Sequence, residues 1–183
     1  ALACDHRLGF LGVGPGDFQY PVGITKFENS FFCVDTRSGG ITKFKNNQAS
    51  VILEKTFLIS RSPDSKGFLN ADTSDSVLGI ASDITNDNLG CLYIADMSKK
   101  AILKFSTDGR YIQSIGDRLI DVNNKTSFIG CEVYGDHLYV TSPACNAILI
   151  FDTAGKLINK VTNLGLNCPT GLSINDKFIG IAD

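Results

Sequence analysis

Three stretches of the chain lie over one another without a gap. CLYIADMSKKAILKF (Cys91–Phe105), SFFCVDTRSGGITKF (Ser30–Phe44) and HLYVTSPACNAILIF (His137–Phe151) each run apolar, polar, apolar and close on Phe. Asp96 falls on Asp35, Ser142 takes that slot in the third copy, and Phe178 to Asp183 matches the first six positions of a fourth. Upstream, Pro21-Val22-Gly23-Ile24 and Pro169-Thr170-Gly171-Leu172 each begin 14 residues before their Asp, and Phe128–Cys131 holds that place in the third copy. A unit this short cannot bury its own apolar face, so recurrence at this spacing implies units stacked on one another.

Each unit reads as four short strands. The first strands are predicted at Gly23–Phe27, Ala81–Thr85, Gly130–Tyr134 and Gly171–Asn175, and the second at Phe31–Asp35, Leu92–Asp96, Leu138–Ser142 and Ile179–Asp183. The third follow at Ile41–Lys45, Ala101–Phe105 and Ala147–Phe151, and the fourth at Val51–Leu58, Tyr111–Ile115 and Leu157–Val161. β-Branched and aromatic residues fill them, and clusters such as Thr107-Asp108-Gly109 bound them. Second strands such as Leu92-Tyr93-Ile94-Ala95 are apolar on both faces, which places them between two layers. No ten-residue segment carries a helical period. The expectation is an all-β fold, a β-propeller of four-stranded antiparallel blades with the first strand of each nearest the axis. Blades are expected at 21–58, 79–116 and 127–163, with the first half of another at 169–183. Residues 1–20 then hold a closing strand, Arg7–Gly12, and the loop of a preceding blade.

GPGDFQYPVGI (Gly14–Ile24), followed by FFCVD and then ITKF, resembles the NHL repeat. The resemblance covers about three and a half repeats. The second copy departs from it by lacking the Pro-x-Gly, and the third by placing Ser142 in the Asp slot. It implies part of a six-bladed ring, which needs on the order of 250 residues at about 40–45 each. The chain is therefore expected to be a portion of a longer polypeptide, with further segments or copies of that polypeptide as expected partners completing the ring; the rival reading is a compact four-bladed ring with an unusual closing blade.

The 183 residues carry a formal net charge of −2, which gives no clustered basic footprint, so no nucleic acid is expected. No apolar run approaches the roughly 18 residues of a membrane-spanning helix. Six cysteines, with no CxxC among them, suit an oxidising compartment better than a zinc ribbon. Asn124-Lys125-Thr126 is the one N-x-S/T sequon, in a polar stretch, so Asn124 is the expected glycosylation site and the protein is expected to be secreted or extracellular.

Alternating strand direction brings the loops after each second and fourth strand to one face. That face gathers Thr36–Gly40, Met97–Lys100, Pro143–Asn146 and the connections Ile59–Leu78, Asp117–Ser127 and Asn163–Pro169. Partners of loop-rich scaffolds bind on such faces. Asp35, Asp96 and Asp183 are expected to accept backbone N–H groups in the turns that follow them rather than to ring a metal. Asp72, Ser74, Asp75 and Ser76 lack calcium-loop spacing. His6 and His137 are the only histidines, too few for the multi-histidine zinc site of the peptide-amidating lyases that the fold resembles. No catalytic or metal-ligating residue is assigned, and no cofactor is expected. The favoured reading is a non-enzymatic extracellular module that binds a protein or glycan partner through its loop face. A propeller lyase or hydrolase with a metal in the central channel is the alternative, and an RNA-binding NHL propeller the third. Cys33 and Cys131 replace aliphatic residues of other copies and are expected in the core, with Cys91 within reach of Cys131. Cys145 and Cys168 sit in loops of one face and are expected to form a disulfide.

Overall fold

The computed structural model describes residues 11–12, 17–36, 40–45, 48–53, 78–117 and 128–183. Three four-stranded antiparallel meanders follow one another. The first holds β1 (Pro21–Phe27), β2 (Ser30–Asp35), β3 (Gly40–Lys45) and β4 (Gln48–Leu53). The second holds β5 (Ala81–Asn86), β6 (Leu92–Asp96), β7 (Ala101–Phe105) and β8 (Tyr111–Ile115). The third holds β9 (Cys131–Tyr134), β10 (His137–Ser142), β11 (Ala147–Asp152) and β12 (Leu157–Val161). A two-stranded sheet, β13 (Gly171–Ile174) and β14 (Ile179–Ala182), closes the described chain. The one helical element among the described residues is a 3-10 turn, Pro143–Cys145.

The pairing register repeats from sheet to sheet. Ile24 faces Cys33, Ile84 faces Ile94, Cys131 faces Val140 and Leu172 faces Ile181. First strands of successive sheets touch, β1 to β5, β5 to β9 and β9 to β13, so these strands form the inner edge of the stack and the sheets radiate from it. This is the expected blade arrangement.

The core lies between blades, which explains why the first four residues of β6 are all apolar. Leu92 and Ile94 join Phe32, Val34 and Ile41 of the first blade in one cluster. Tyr93 and Ala95, on the opposite face of the pleat, join Cys131, Leu138, Val140 and Phe151 of the third blade in another. All five residues of β6 are buried. Burying each large aliphatic or aromatic side chain contributes about 1.5–3 kcal/mol, so these clusters between blades hold the stack together.

Hydroxyl groups add direct links from each blade to the next. Thr36 Oγ1 donates to the carbonyl of Ala81 (2.6 Å), Ser82 Oγ to that of Ile129 (2.8 Å) and Thr141 Oγ1 to that of Thr170 (2.9 Å). Backbones approach closely at Gly130, where a Cβ would stand 2.3 Å from the Thr170 carbonyl oxygen.

Cys33 and Cys131 are buried as expected, at 6% and 1% exposure. Burial, with Asp35 nearby, pushes the Cys33 thiol up to about 11. Cys91 packs against the cluster that holds Cys131, yet both remain free thiols, the Cys131 Sγ donating to the Tyr93 carbonyl at 3.6 Å. The proposed closing strand Arg7–Gly12 lies mostly outside the described residues, with Leu11 bridging to Phe18. His6, Asn124, the 72–76 segment and all of Ile59–Leu78 but Leu78 also lie outside them.

Candidate functional site

Blades are built so that one carboxylate at the end of the second strand clasps the chain arriving at the first. Asp35 Oδ2 accepts the backbone N–H of Gln19 (2.7 Å) and of Tyr20 (2.8 Å). Asp96 accepts those of Gly79 (2.5 Å) and Ile80 (3.2 Å), and Asp183 those of Asn167 (2.9 Å) and Cys168 (2.7 Å). The partners expected from the sequence for these carboxylates are instead the N–H groups of the following turn. Asp96 does make that bond, to Ser98 N and Lys99 N, but the partner shared by all three aspartates is the lead-in segment. Antiparallel pairing explains it, because the end of each second strand lies beside the start of the first.

Ser142 holds the slot in the third blade. Its side chain is too short for the same reach, and its buried Oγ has no hydrogen-bond partner among the described residues. Its neighbour Thr141 takes over, accepting Gly130 N–H at 2.8 Å.

These clasps put the lead-in segments and the loops after the second strands on the same face. That face carries exposed apolar side chains: Tyr20, Ile80, Met97 and Leu164, at 63%, 39%, 37% and 49% exposure. Tyr20 and Ile80 are the residues whose N–H groups the aspartates hold, so the clasp also fixes where their side chains start.

Cys145 and Cys168 share this face and are both free thiols in the structure. The loops that carry them touch, because the Asn146 side-chain nitrogen donates to the Asn167 carbonyl and to the Pro143 carbonyl, each at 2.9 Å.

Two further groups of polar residues lie elsewhere. On the inner strands, Asp83 accepts Ile84 N–H (2.9 Å) and Cys131 N–H (3.0 Å), tying β5 to β9. Burial raises the Asp83 carboxyl, and burial together with Asp83 raises that of Glu132. Both Asp83 oxygens thus serve the backbone, and no group of three metal-ligating side chains occurs among the described residues. His137 begins β10 with its ring 6.4 Å from that of Tyr139.

At the opposite end of the blades, Tyr93 Oη donates to Asp87 Oδ2 at 2.9 Å and Lys104 Nζ stands 4.0 Å from the same oxygen. Lys104 also lies over the Tyr93 ring (4.9 Å) and donates to the Thr153 carbonyl of the next blade (2.9 Å). Burial, then the bond to Asp87, pushes the Tyr93 phenol well above its ordinary range. This network is not among the groupings expected from the sequence. Its signal was Lys104 itself, a cation inside the apolar strand AILKF.

No family model and no curated protein matches the chain. Solved structures do. Virginiamycin B lyase from Staphylococcus aureus superposes with a TM-score of 0.64 at 16% identity, over 92% of this chain and 50% of that one. Hydrazine synthase of Kuenenia stuttgartiensis gives 0.62 at 15%, over 91% and 42%. The computationally designed Ika4 protein gives 0.62 at 9%, over 97% and 92%. The chain thus spans about half the length of the lyase and nearly all of the designed protein. At these identities the likeness concerns the fold alone, and the fold is that of a β-propeller.

Proposed function

We propose that the chain is an extracellular interaction module that binds a protein partner through the loop face described above. One observation carries the reading: Tyr20, Ile80, Met97 and Leu164 expose apolar side chains on one loop face, and the aspartate clasps hold its backbone at Tyr20 and Ile80. Apolar groups held exposed on a rigid scaffold suit a partner that desolvates them. The acids that recur from blade to blade serve the scaffold and leave this face to binding. The extracellular placement is supported by six cysteines and the sequon at Asn124.

The test is binding of the whole chain, immobilised, to a panel of secreted-protein ectodomains and to a glycan array. The expected result is a protein ligand whose affinity falls at least tenfold in the Met97→Asp, Leu164→Asp double variant, with an unchanged circular dichroism spectrum. Binding to glycans only, or binding to proteins that the double variant leaves intact, overturns the reading.

A further inference from the structure

We propose that Cys145 and Cys168 are a disulfide-forming pair that staples the third blade to the lead-in segment of the blade after it. Three observations converge on this pair, and none of them depends on the binding reading.

The first is proximity. Asn146 and Asn167, each the sequence neighbour of one cysteine, are joined by a 2.9 Å hydrogen bond. A disulfide spans about 4.4–6.8 Å between Cα atoms, and that hydrogen bond draws together the residues beside each cysteine. The second is rigidity. Cys145 ends the 3-10 turn Pro143–Cys145, which Asn146 terminates in the left-handed region at φ 46° by returning its N–H to the Pro143 carbonyl. On the other side, Asp183 accepts the N–H groups of both Asn167 and Cys168. Each backbone is therefore pinned, and little chain entropy remains to oppose closure.

The third observation is selectivity. Cys168 is exposed and Cys145 half-buried, whereas Cys33 and Cys131 lie inside the sheets and the half-buried Cys91 is packed against the cluster that holds Cys131. Neither loop sulfur makes a hydrogen bond to another described residue. Thiol–disulfide exchange requires access by an attacking partner, which the loop pair has and the core pair lacks.

The oxidant is a low-molecular-weight disulfide such as oxidised glutathione. The exposed Cys168 thiolate attacks it, forms a mixed disulfide and expels one glutathione thiolate. The Cys145 thiolate then attacks the Cys168 sulfur, forms the protein S–S bond and expels the second. Two protein thiols are oxidised, one glutathione disulfide is reduced to two thiols, and the two protons pass to them.

The experiment incubates the whole chain with oxidised and reduced glutathione, blocks free thiols with acid-stable alkylation and maps the non-reduced peptides by mass spectrometry. The expected result is a Cys145–Cys168 linked peptide as the dominant crosslink. The oxidised chain should melt about 5 °C above the same chain in dithiothreitol, because the link closes a loop of moderate length. Both effects should vanish in Cys145→Ser, which should leave Cys168 glutathionylated. Recovery of the two cysteines as free or separately glutathionylated in the unaltered chain overturns the proposal, as does a crosslink from either to a different cysteine. The peptide map of the unaltered chain decides the matter even where a serine variant folds poorly.

Discussion

Replacing one residue at the same position of two repeats should cost stability in one and none in the other. Asp96 and Ser142 occupy equivalent slots at the ends of β6 and β10, and both are fully buried. In Asp96→Ala, the N–H groups of Gly79, Ser98 and Lys99 lose their acceptor, as does the Ser98 hydroxyl, while the Ile80 N–H keeps the Ser98 Oγ at 3.1 Å. A hydrogen bond to a charged group contributes about 1.5–3 kcal/mol, and a buried donor left unmade costs about 1–3 kcal/mol. These losses do not add fully. The bond from Gly79 is buried, but Ile80 is partly exposed and water can replace the carboxylate there. The net loss should be about 3–5 kcal/mol. With a urea dependence of about 2 kcal/mol/M, the unfolding midpoint should fall by about 2 M. Ser142→Ala removes a buried hydroxyl with no partner among the described residues, so it should be neutral or raise stability by up to about 1 kcal/mol. Urea titration followed by circular dichroism measures both. A loss below about 1 kcal/mol in Asp96→Ala, or a comparable loss in Ser142→Ala, would refute the view that the carboxylate clasp organises the blade.

Gly130→Ala should destabilise by about 2 kcal/mol or more, since its Cβ would meet the Thr170 carbonyl oxygen at 2.3 Å and a backbone segment must shift to relieve the contact. Differential scanning calorimetry checks it, and limited proteolysis should cut first near Thr170. Tyr93→Phe leaves Asp87 without its 2.9 Å donor inside a buried network and should cost about 1–3 kcal/mol, measured by urea titration. Glu132 carries a carboxyl raised above its ordinary 4.5, so the folded state holds its proton more tightly than the unfolded state does. Stability from this group is thus greatest at low pH and falls as pH climbs through the window above 4.5. Glu132→Gln should accordingly be more stable than the parent at pH 7 and no more stable near pH 4, as thermal melts across that range will report.

The strands were legible because their pattern is dictated by two covered faces. Leu92–Asp96, Ala101–Phe105, Tyr111–Ile115 and Leu157–Val161 fall where the repeat alignment places them. Cys33 and Cys131 were legible as core residues for the same reason, each standing in an aliphatic slot. The role of the aspartates was legible only in kind. That they bond backbone follows from their place at a strand end, but which backbone depends on the antiparallel partner, a tertiary fact. The Tyr93–Asp87–Lys104 network was hidden because its members come from a turn and two strands, and nothing in the spacing announces that they meet. The exposure of Tyr20, Ile80, Met97 and Leu164 was hidden too, because an apolar residue beside a turn reads the same whether it is covered or not.

The hydroxyl links between blades bear on how such a chain tolerates rearrangement. All three deliver a hydroxyl proton to a carbonyl at or just before the next blade's first strand: Ala81, Ile129 and Thr170. The donors, however, come from three different places: Thr36 just past a second strand, Ser82 within a first strand, and Thr141 inside a second strand. The receiving group is backbone and comes with any blade, whereas the giving group is a side chain that each junction has found for itself. A duplicated blade would therefore always arrive able to receive and often unable to give. Swapping the second and third blades of this chain should preserve the outline of the fold and break its seams, so the units are alike in shape without being interchangeable.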